Sequence, residues 1–157
     1  MKNEKIMEVN QKVADLLKPV LADQYVFYTK LRNYHWNITG NMFYKLHEKF
    51  EEFYDEIADD IDEVAERIRT LGVYSPGSMS EFLKLAELKE EKEGNYPDQK
   101  QMALNVIADF VLLTGKLKNV AVKVQSEFGD EVTAGLLYEF VSKYEKTVWM
   151  LKSTFNN

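Results

Sequence analysis

Apolar residues recur at helical spacing along almost the whole chain, and this pattern constrains the fold more than any other feature. The clearest stripe lies between residues 42 and 71 and consists of Leu46, Phe50, Phe53, Ile57, Ile61, Val64, Ile68 and Leu71. Similar stripes occupy residues 20–34, 96–124 and 132–151. Seven glycines and three prolines are too few for an all-β fold with many turns. The pattern therefore predicts an all-α bundle of four long helices.

A length of 157 residues argues for one domain over residues 1–157. Pro19 suits the first turn of a helix, where its missing N–H is not needed. We therefore expect the first bundle helix to begin near Pro19. Residues 6–17 then form a separate or kinked helix within a short N-terminal segment, residues 1–18, ahead of the bundle.

The second and third long helices are joined by the longest connection in the chain. Gly72 is expected to end the second helix, because glycine readily adopts the left-handed conformation found at helix ends. Ser78 and Glu81 have the spacing of a capping box, which predicts a short extra helix over residues 80–88. A long connection at this point can cross the length of the bundle, which is the ferritin-like arrangement. The expected fold is thus a ferritin-like four-helix bundle with a short helix between helices 2 and 3.

Composition excludes several classes of protein. The formal net charge is −6, which is a poor match for broad nucleic-acid binding. Cysteine is absent, so thiolate zinc sites, iron–sulfur clusters and cysteine nucleophiles are excluded. We find no signal peptide and no stretch as long as a transmembrane helix, and we therefore expect a cytoplasmic protein without a membrane partner.

Two groups of metal-binding side chains stand out. His35 and His47 are the only histidines, and the break between the first two helices can bring them together. Asp62 and Glu66 are four residues apart on one helix and can share an ion. His47 is roughly 22 Å from Asp62 along the helix axis, so one chain carries two separate half-sites. Two chains packed antiparallel about a two-fold axis near Asp55 would complete both sites.

Two imidazoles with carboxylates suit Fe(II), and zinc, cobalt or manganese are competitors for such ligands. A di-iron site inside one bundle requires Glu-x-x-His on two helices. Here Arg32 precedes His35 at that spacing and Tyr44 precedes His47, so an intra-bundle di-iron centre is disfavoured.

Residues 28–37, 46–52 and 62–68 resemble the Dps family, the dodecameric mini-ferritins that protect bacteria from starvation and oxidants. The resemblance implies a homododecamer that oxidises Fe(II), with hydrogen peroxide in preference to oxygen, and stores ferric mineral in a hollow shell against oxidative stress. It implies ferroxidase centres between subunits, with His35 and His47 from one chain and Asp62 and Glu66 from its partner.

The resemblance also assigns two neighbouring residues. Trp36 would be an electron source that quenches oxidising equivalents, although it is equally well explained as a packed aromatic residue. Many members of the family carry an aspartate where this chain has Glu51. Glu51 is therefore a candidate ligand for a second, weaker iron.

Two alternatives remain open at this point. The first is DNA binding and compaction, which in some Dps relatives depends on a mobile, lysine-rich tail. The N-terminus offers only Lys2 and Lys5, the C-terminus only Lys152, and twelve chains would carry about −72, so we do not expect strong DNA binding. The second alternative is an assembly that binds a metal such as zinc without oxidising it.

Overall fold

The computed structural model describes residues 2–155 and consists of five α-helices. The helices are α1 (Lys2–Asn37), α2 (Phe43–Thr70), α3 (Met79–Leu85), α4 (Gln99–Phe128) and α5 (Glu131–Phe155). The four long helices form the bundle, and α3 lies in the connection between α2 and α4. The predicted all-α architecture with a short extra helix is therefore confirmed. No helix within residues 2–155 is both long and apolar enough to cross a membrane.

The bundle consists of two helical pairs, α1 with α2 and α4 with α5, that share one hydrophobic core. Phe110 of α4 lies at the centre of this core and is fully buried. Its ring makes edge contacts with Phe27 of α1 and Phe53 of α2, at centroid distances of 4.7 and 5.5 Å. The ring of Tyr144 of α5 is 5.4 Å away. One aromatic side chain thus joins all four long helices.

The first helix differs from the prediction, because α1 continues through Pro19 instead of beginning there. A proline inside a helix deprives the carbonyl group four residues earlier, here that of Asp15, of its backbone donor. The structure accommodates this because Val13 and Leu17 before the proline, and Val20 after it, are all buried in the common core. Core packing therefore extends the helix across a residue that would otherwise end it.

The local signals at the end of α2 and the start of α3 are confirmed. Gly72 has a φ of 84°, and the amides of Gly72 and Val73 donate to the carbonyl oxygens of Arg69 and Ile68. Ser78 and Glu81 form the predicted capping box. These bonds satisfy backbone groups that a helix end otherwise leaves without partners.

The helix α3 ends at Leu85, three residues before the predicted end. The backbone of Ala86 is extended, with a ψ of 139°. The amides of Glu87 and Leu88 donate to Oδ1 of the buried Asp23 of α1, at 2.7 and 2.9 Å. Because these amides bind a side chain of another helix, they are not available to continue α3.

The second pair of helices is separated by a short break at residues 129–130. Gly129 has a φ of 66° and ends α4 in the left-handed conformation. Asp130 precedes α5 and accepts a hydrogen bond from the amide of Thr133 at 2.9 Å. The helix α4 begins at Gln99, three residues after the start of the apolar stripe at residue 96, because Asp98 is the N-cap and accepts from the amide of Gln101 at 2.8 Å.

Candidate metal centre

The two histidines lie against each other at the junction of α1 and α2. His35 is in the last turn of α1, His47 is near the start of α2, and residues 38–42 form a short turn between them. The imidazole rings are stacked with a centroid distance of 3.7 Å and an interplanar angle of 15°. The predicted contact between the histidines is thus present in the structure.

Reciprocal hydrogen bonds determine which nitrogen of each ring is free. Nδ1 of His35 lies 2.6 Å from the carbonyl oxygen of His47, and Nδ1 of His47 lies 2.7 Å from the carbonyl oxygen of His35. A carbonyl oxygen can only accept, so each Nδ1 carries the proton. Each Nε2 therefore keeps a lone pair, and metal-binding histidines are oriented in this way by a bond from their other nitrogen. That these nitrogens bind a metal stays a prediction.

Aromatic residues hold both rings in place. Phe43 stacks on His47 at a centroid distance of 4.9 Å, and Tyr54 meets His35 edge-on at 5.3 Å. His35 is buried, with 8% of its surface exposed. Sequence reasoning did not assign Phe43 and Tyr54 to the site. Their positions four residues before and seven residues after His47 place them on the same side of α2 and could have suggested it.

The two carboxylates of the second half-site lie far from the histidines. Asp62 and Glu66 are exposed on α2, and neither forms a hydrogen bond or an ion pair with any other described residue. His47 and Asp62 are fifteen positions apart on one continuous helix, which corresponds to about 22 Å. Within residues 2–155 no three His, Asp or Glu side chains are placed to hold a metal ion together. One chain therefore presents two incomplete half-sites.

A positively charged side chain lies beside the histidine pair. The guanidinium carbon of Arg32 is 4.6 Å from the ring centroid of Tyr54, 5.1 Å from that of Trp36 and 5.5 Å from that of Tyr28. Its Nη1 donates to the hydroxyl of Tyr28 at 2.9 Å. Arg32 has no ion pair with any other residue between 2 and 155. Burial raises the pKa of Tyr54, and the charge of the nearby, exposed Glu51 raises it further.

A separate polar network lies in the middle of the bundle. Asp60 of α2 is buried, and Tyr144 and Lys143 of α5 donate to its two carboxylate oxygens at 2.5 and 2.6 Å. Burial raises the pKa of both Asp60 and Tyr144. The ammonium group of Lys143 therefore offsets the charge of this buried carboxylate.

The chain is similar to known proteins in both sequence and structure. Residues 14–157 match the family of ferritin-like domains. The chain is 43% identical to the DNA protection during starvation protein of Porphyromonas gingivalis, in an alignment that covers 96% of this chain and 97% of that protein. This chain belongs to the Dps family. The resemblance found in the sequence is thereby confirmed.

Solved structures of Dps proteins agree with this assignment. The Dps protein of Vibrio cholerae O1, described as a member of the ferritin-like diiron-carboxylate superfamily, has a TM-score of 0.90 and 37% identity, and the match covers 96% of this chain and 92% of that chain. The Dps protein of Listeria innocua, from a crystal soaked with zinc, has a TM-score of 0.86 and 29% identity, with coverage of 92% and 97%. The ferritin-like fold is therefore confirmed over nearly the whole chain.

Proposed function

We propose that this Dps-family protein is a ferroxidase that oxidises Fe(II) and stores the ferric product in a hollow shell of twelve subunits. Each site would combine His35 and His47 of one chain with the partner's Asp62 and the partner's Glu66. The observation that carries this proposal is the pair of reciprocal Nδ1–carbonyl bonds between the two stacked rings, which leaves the Nε2 atom of each ring free.

The chemistry of these donors suits iron as a substrate. Imidazole nitrogens and carboxylate oxygens together bind Fe(II), and two carboxylates neutralise much of the additional charge of Fe(III). Hydrogen peroxide, which we propose as the preferred oxidant over oxygen, takes up two electrons, and two Fe(II) ions can supply them without releasing a hydroxyl radical. Zinc, cobalt or manganese would occupy the same ligands as substitutes for iron.

The proposed two-fold contact follows from the dimensions of α2. Asp55 lies half-way between the histidine pair and the carboxylate pair, and its side chain is exposed. An antiparallel partner helix centred there places each histidine pair beside the opposite carboxylate pair. Because a two-fold contact is reciprocal, each pair of subunits would hold two sites.

Relatives of this chain are named for DNA protection, and we propose that this protein protects DNA by removing Fe(II) and peroxide. The net charge of −6 per chain opposes direct contact with phosphates. The N-terminal residues Lys2 and Lys5 belong to α1, in contrast to a mobile lysine-rich tail. A gel-shift experiment at low salt, without divalent metal, should show no retained complex.

The main test is peroxide-driven oxidation of Fe(II) followed by the absorbance of the ferric product. We expect His35→Ala and His47→Ala to lose rapid oxidation while helix content and particle mass stay unchanged. Asp62→Asn should lose it as well, whereas Glu63→Gln, which changes the neighbouring exposed carboxylate, should not. Oxidation at the parent rate in both histidine variants would place the site elsewhere. Stoichiometric binding of Fe(II) without turnover in the parent protein would favour a metal-binding assembly that does not oxidise iron.

A further inference from the structure

A glutamine from another helix holds the turn that brings the two histidines together. Gln99 is the first residue of α4, and its side chain binds the turn between α1 and α2. Its Oε1 accepts from the backbone amide of Met42 at 2.9 Å, and its Nε2 donates to Oδ1 of Asn41 at 2.6 Å. Both the oxygen and the nitrogen of one side-chain amide therefore bind the same turn.

The start of α2 depends on a hydrogen-bond acceptor from outside the turn. Met42 is the N-cap of α2, and its side chain has no oxygen with which to accept a bond from a backbone amide. The first amides of a helix have no acceptor within the helix itself. Oε1 of Gln99 supplies an acceptor for the amide of Met42, so α4 stabilises the first turn of α2.

The missing side chain of Gly40 leaves room for this glutamine. A Cβ atom at Gly40 would lie 2.4 Å from Oε1 and 2.6 Å from Cδ of Gln99, which is closer than such atoms can approach. Gly40 also has a φ of 124°, in the region that favours glycine. Its carbonyl oxygen accepts from the amide of Phe43 at 3.1 Å, so the turn leads directly into α2.

Short contacts connect Met42 to the histidine pair. The carbonyl oxygen of Met42 accepts from the amide of Leu46, the residue before His47, at 2.9 Å. The ring of Phe43, the residue after Met42, stacks on the ring of His47 at 4.9 Å. Each Nδ1–carbonyl bond of the pair joins a side chain on one helix to the backbone of the other. The turn therefore sets the spacing at which both bonds form and both Nε2 atoms stay free.

We propose that Gln99 is a positioning residue of the metal centre, which holds the histidine pair in its metal-binding arrangement before an ion binds. This inference rests on the proposed function, in which His35 and His47 bind iron. Without Gln99 the turn is released, and the two rings are apart in part of the population. The apparent affinity for a metal ion then falls in proportion to the fraction of chains with paired rings.

The first test is titration of the assembled, metal-free protein with Co(II), followed by the visible absorbance of the bound ion. Gln99→Ala should weaken Co(II) binding by about 2- to 10-fold, which is the effect of one net hydrogen bond. Gln99→Glu keeps an oxygen for the Met42 amide and should bind Co(II) as the parent protein does. Gln101→Ala is the matched control and should also bind like the parent, because the side chain of Gln101 binds Asn105 within α4.

The kinetics of peroxide-driven Fe(II) oxidation separate positioning from a general loss of structure. In Gln99→Ala the KM for Fe(II) should rise by the same factor as the dissociation constant of Co(II). The kcat should stay close to that of the parent, because a bound ion itself holds the two rings together. A substitution that only damages the fold would instead reduce the number of intact sites. It would lower kcat and the amount of Co(II) bound while KM stays unchanged.

The contact with Gly40 provides a second test. Gly40→Ala combines backbone strain with displacement of the Gln99 side chain, whereas only the strain remains when Gln99 is already alanine. The loss of Co(II) affinity caused by Gly40→Ala should therefore be smaller in the Gln99→Ala background than in the parent.

Three results would overturn the inference. They are parent values of Co(II) affinity and KM in Gln99→Ala, a loss in Gln99→Glu as large as that in Gln99→Ala, and equal losses from Gly40→Ala in both backgrounds. A parent protein that binds Co(II) but does not oxidise Fe(II) would refute the proposed ferroxidase, while the Co(II) titrations would still decide the role of Gln99. A parent protein that binds no Co(II) would overturn the assignment of the histidines and this inference with it.

Discussion

Two inactive variants should restore activity in each other if the metal sites lie between subunits. One chain would carry His35→Ala and His47→Ala, and the other Asp62→Asn and Glu66→Gln. Each variant alone lacks half of every site. About 22 Å of continuous helix separates the two halves in one chain, so no rearrangement short of breaking α2 can join them within a subunit.

The expected magnitude follows from two-fold symmetry. With equal amounts and random assembly, half of the two-fold pairs contain one chain of each kind. In such a pair one site combines the intact histidines with the intact carboxylates, and the other site lacks both. About one quarter of all sites is therefore restored.

A matched control places all four substitutions in one chain and mixes that chain with the parent protein. If sites lie between subunits, only parent–parent pairs are active, and again about one quarter of the sites works. If each site lay within one chain, the control mixture would keep about half of its sites and the first mixture would keep none. The two mixtures together thus distinguish the two arrangements without a structure of the assembly.

The assay is the initial rate of peroxide-driven Fe(II) oxidation per chain, measured on co-expressed chains with two different tags. Native mass spectrometry would establish that the purified particles contain both chains. A rate no higher than that of the separate variants, in particles shown to be mixed, would refute the inter-subunit site.

Two predictions concern stability, measured by urea unfolding at one fixed protein concentration because assembly contributes to stability. Asp130→Ala removes the N-cap of α5 and the contact with Arg67 at 3.2 Å, so unfolding should become easier by about 1 to 2 kcal/mol at neutral pH. Burial alone would raise the pKa of Asp130, but hydrogen bonds from Thr133 and the charge of Arg67 outweigh it and lower the pKa below 3.8. The stability that the ionised Asp130 contributes is therefore present above pH 3.8 and is lost as the pH falls through the lowered pKa of its carboxyl group. An effect of Asp130→Ala that persists undiminished in strong acid would contradict this role of the Asp130 charge. Phe110→Ala should lower the free energy of unfolding by about 3 to 5 kcal/mol, because it empties the centre of the core. Val111→Ala, on the exposed side of α4, should change the free energy of unfolding by less than about 0.5 kcal/mol. Equal effects of the two substitutions would contradict the central role of Phe110.

Features of the fold could be predicted from the sequence where the cause is local. The capping box at Ser78 and the left-handed Gly72 each depend on residues within one helical turn. The passage of α1 through Pro19 depends instead on burial against other helices. The early end of α3 depends on Asp23, which is more than 60 positions away along the chain. Neither contact leaves a signal in the neighbouring residues.

The histidine pair could be predicted because a short turn leaves His35 and His47 few ways to avoid each other. The direction of their rings could not, since it is set by hydrogen bonds to main-chain oxygens that no side-chain pattern reveals. The hydrogen bond from the Tyr34 hydroxyl to Glu91 could not be predicted either, because Tyr34 looks like a core residue in the sequence. Its partner Glu91 lies in a charged connection that reads as a solvated loop.

The connection between α2 and α4 also supplies a hydrogen-bond partner to the last turn of α1. Successive residues on a helix point about 100° apart, so Tyr34 and His35 contact different surroundings although they are neighbours in the chain. His35 meets His47, whereas Tyr34 reaches Glu91 on the connection and Asn105 on α4. The last turn of α1 thus carries a candidate metal ligand on one side and a buried, hydrogen-bonded tyrosine on another. The connection supplies the carboxylate that accepts the hydrogen bond of this tyrosine, which a direct link between the helices would not provide.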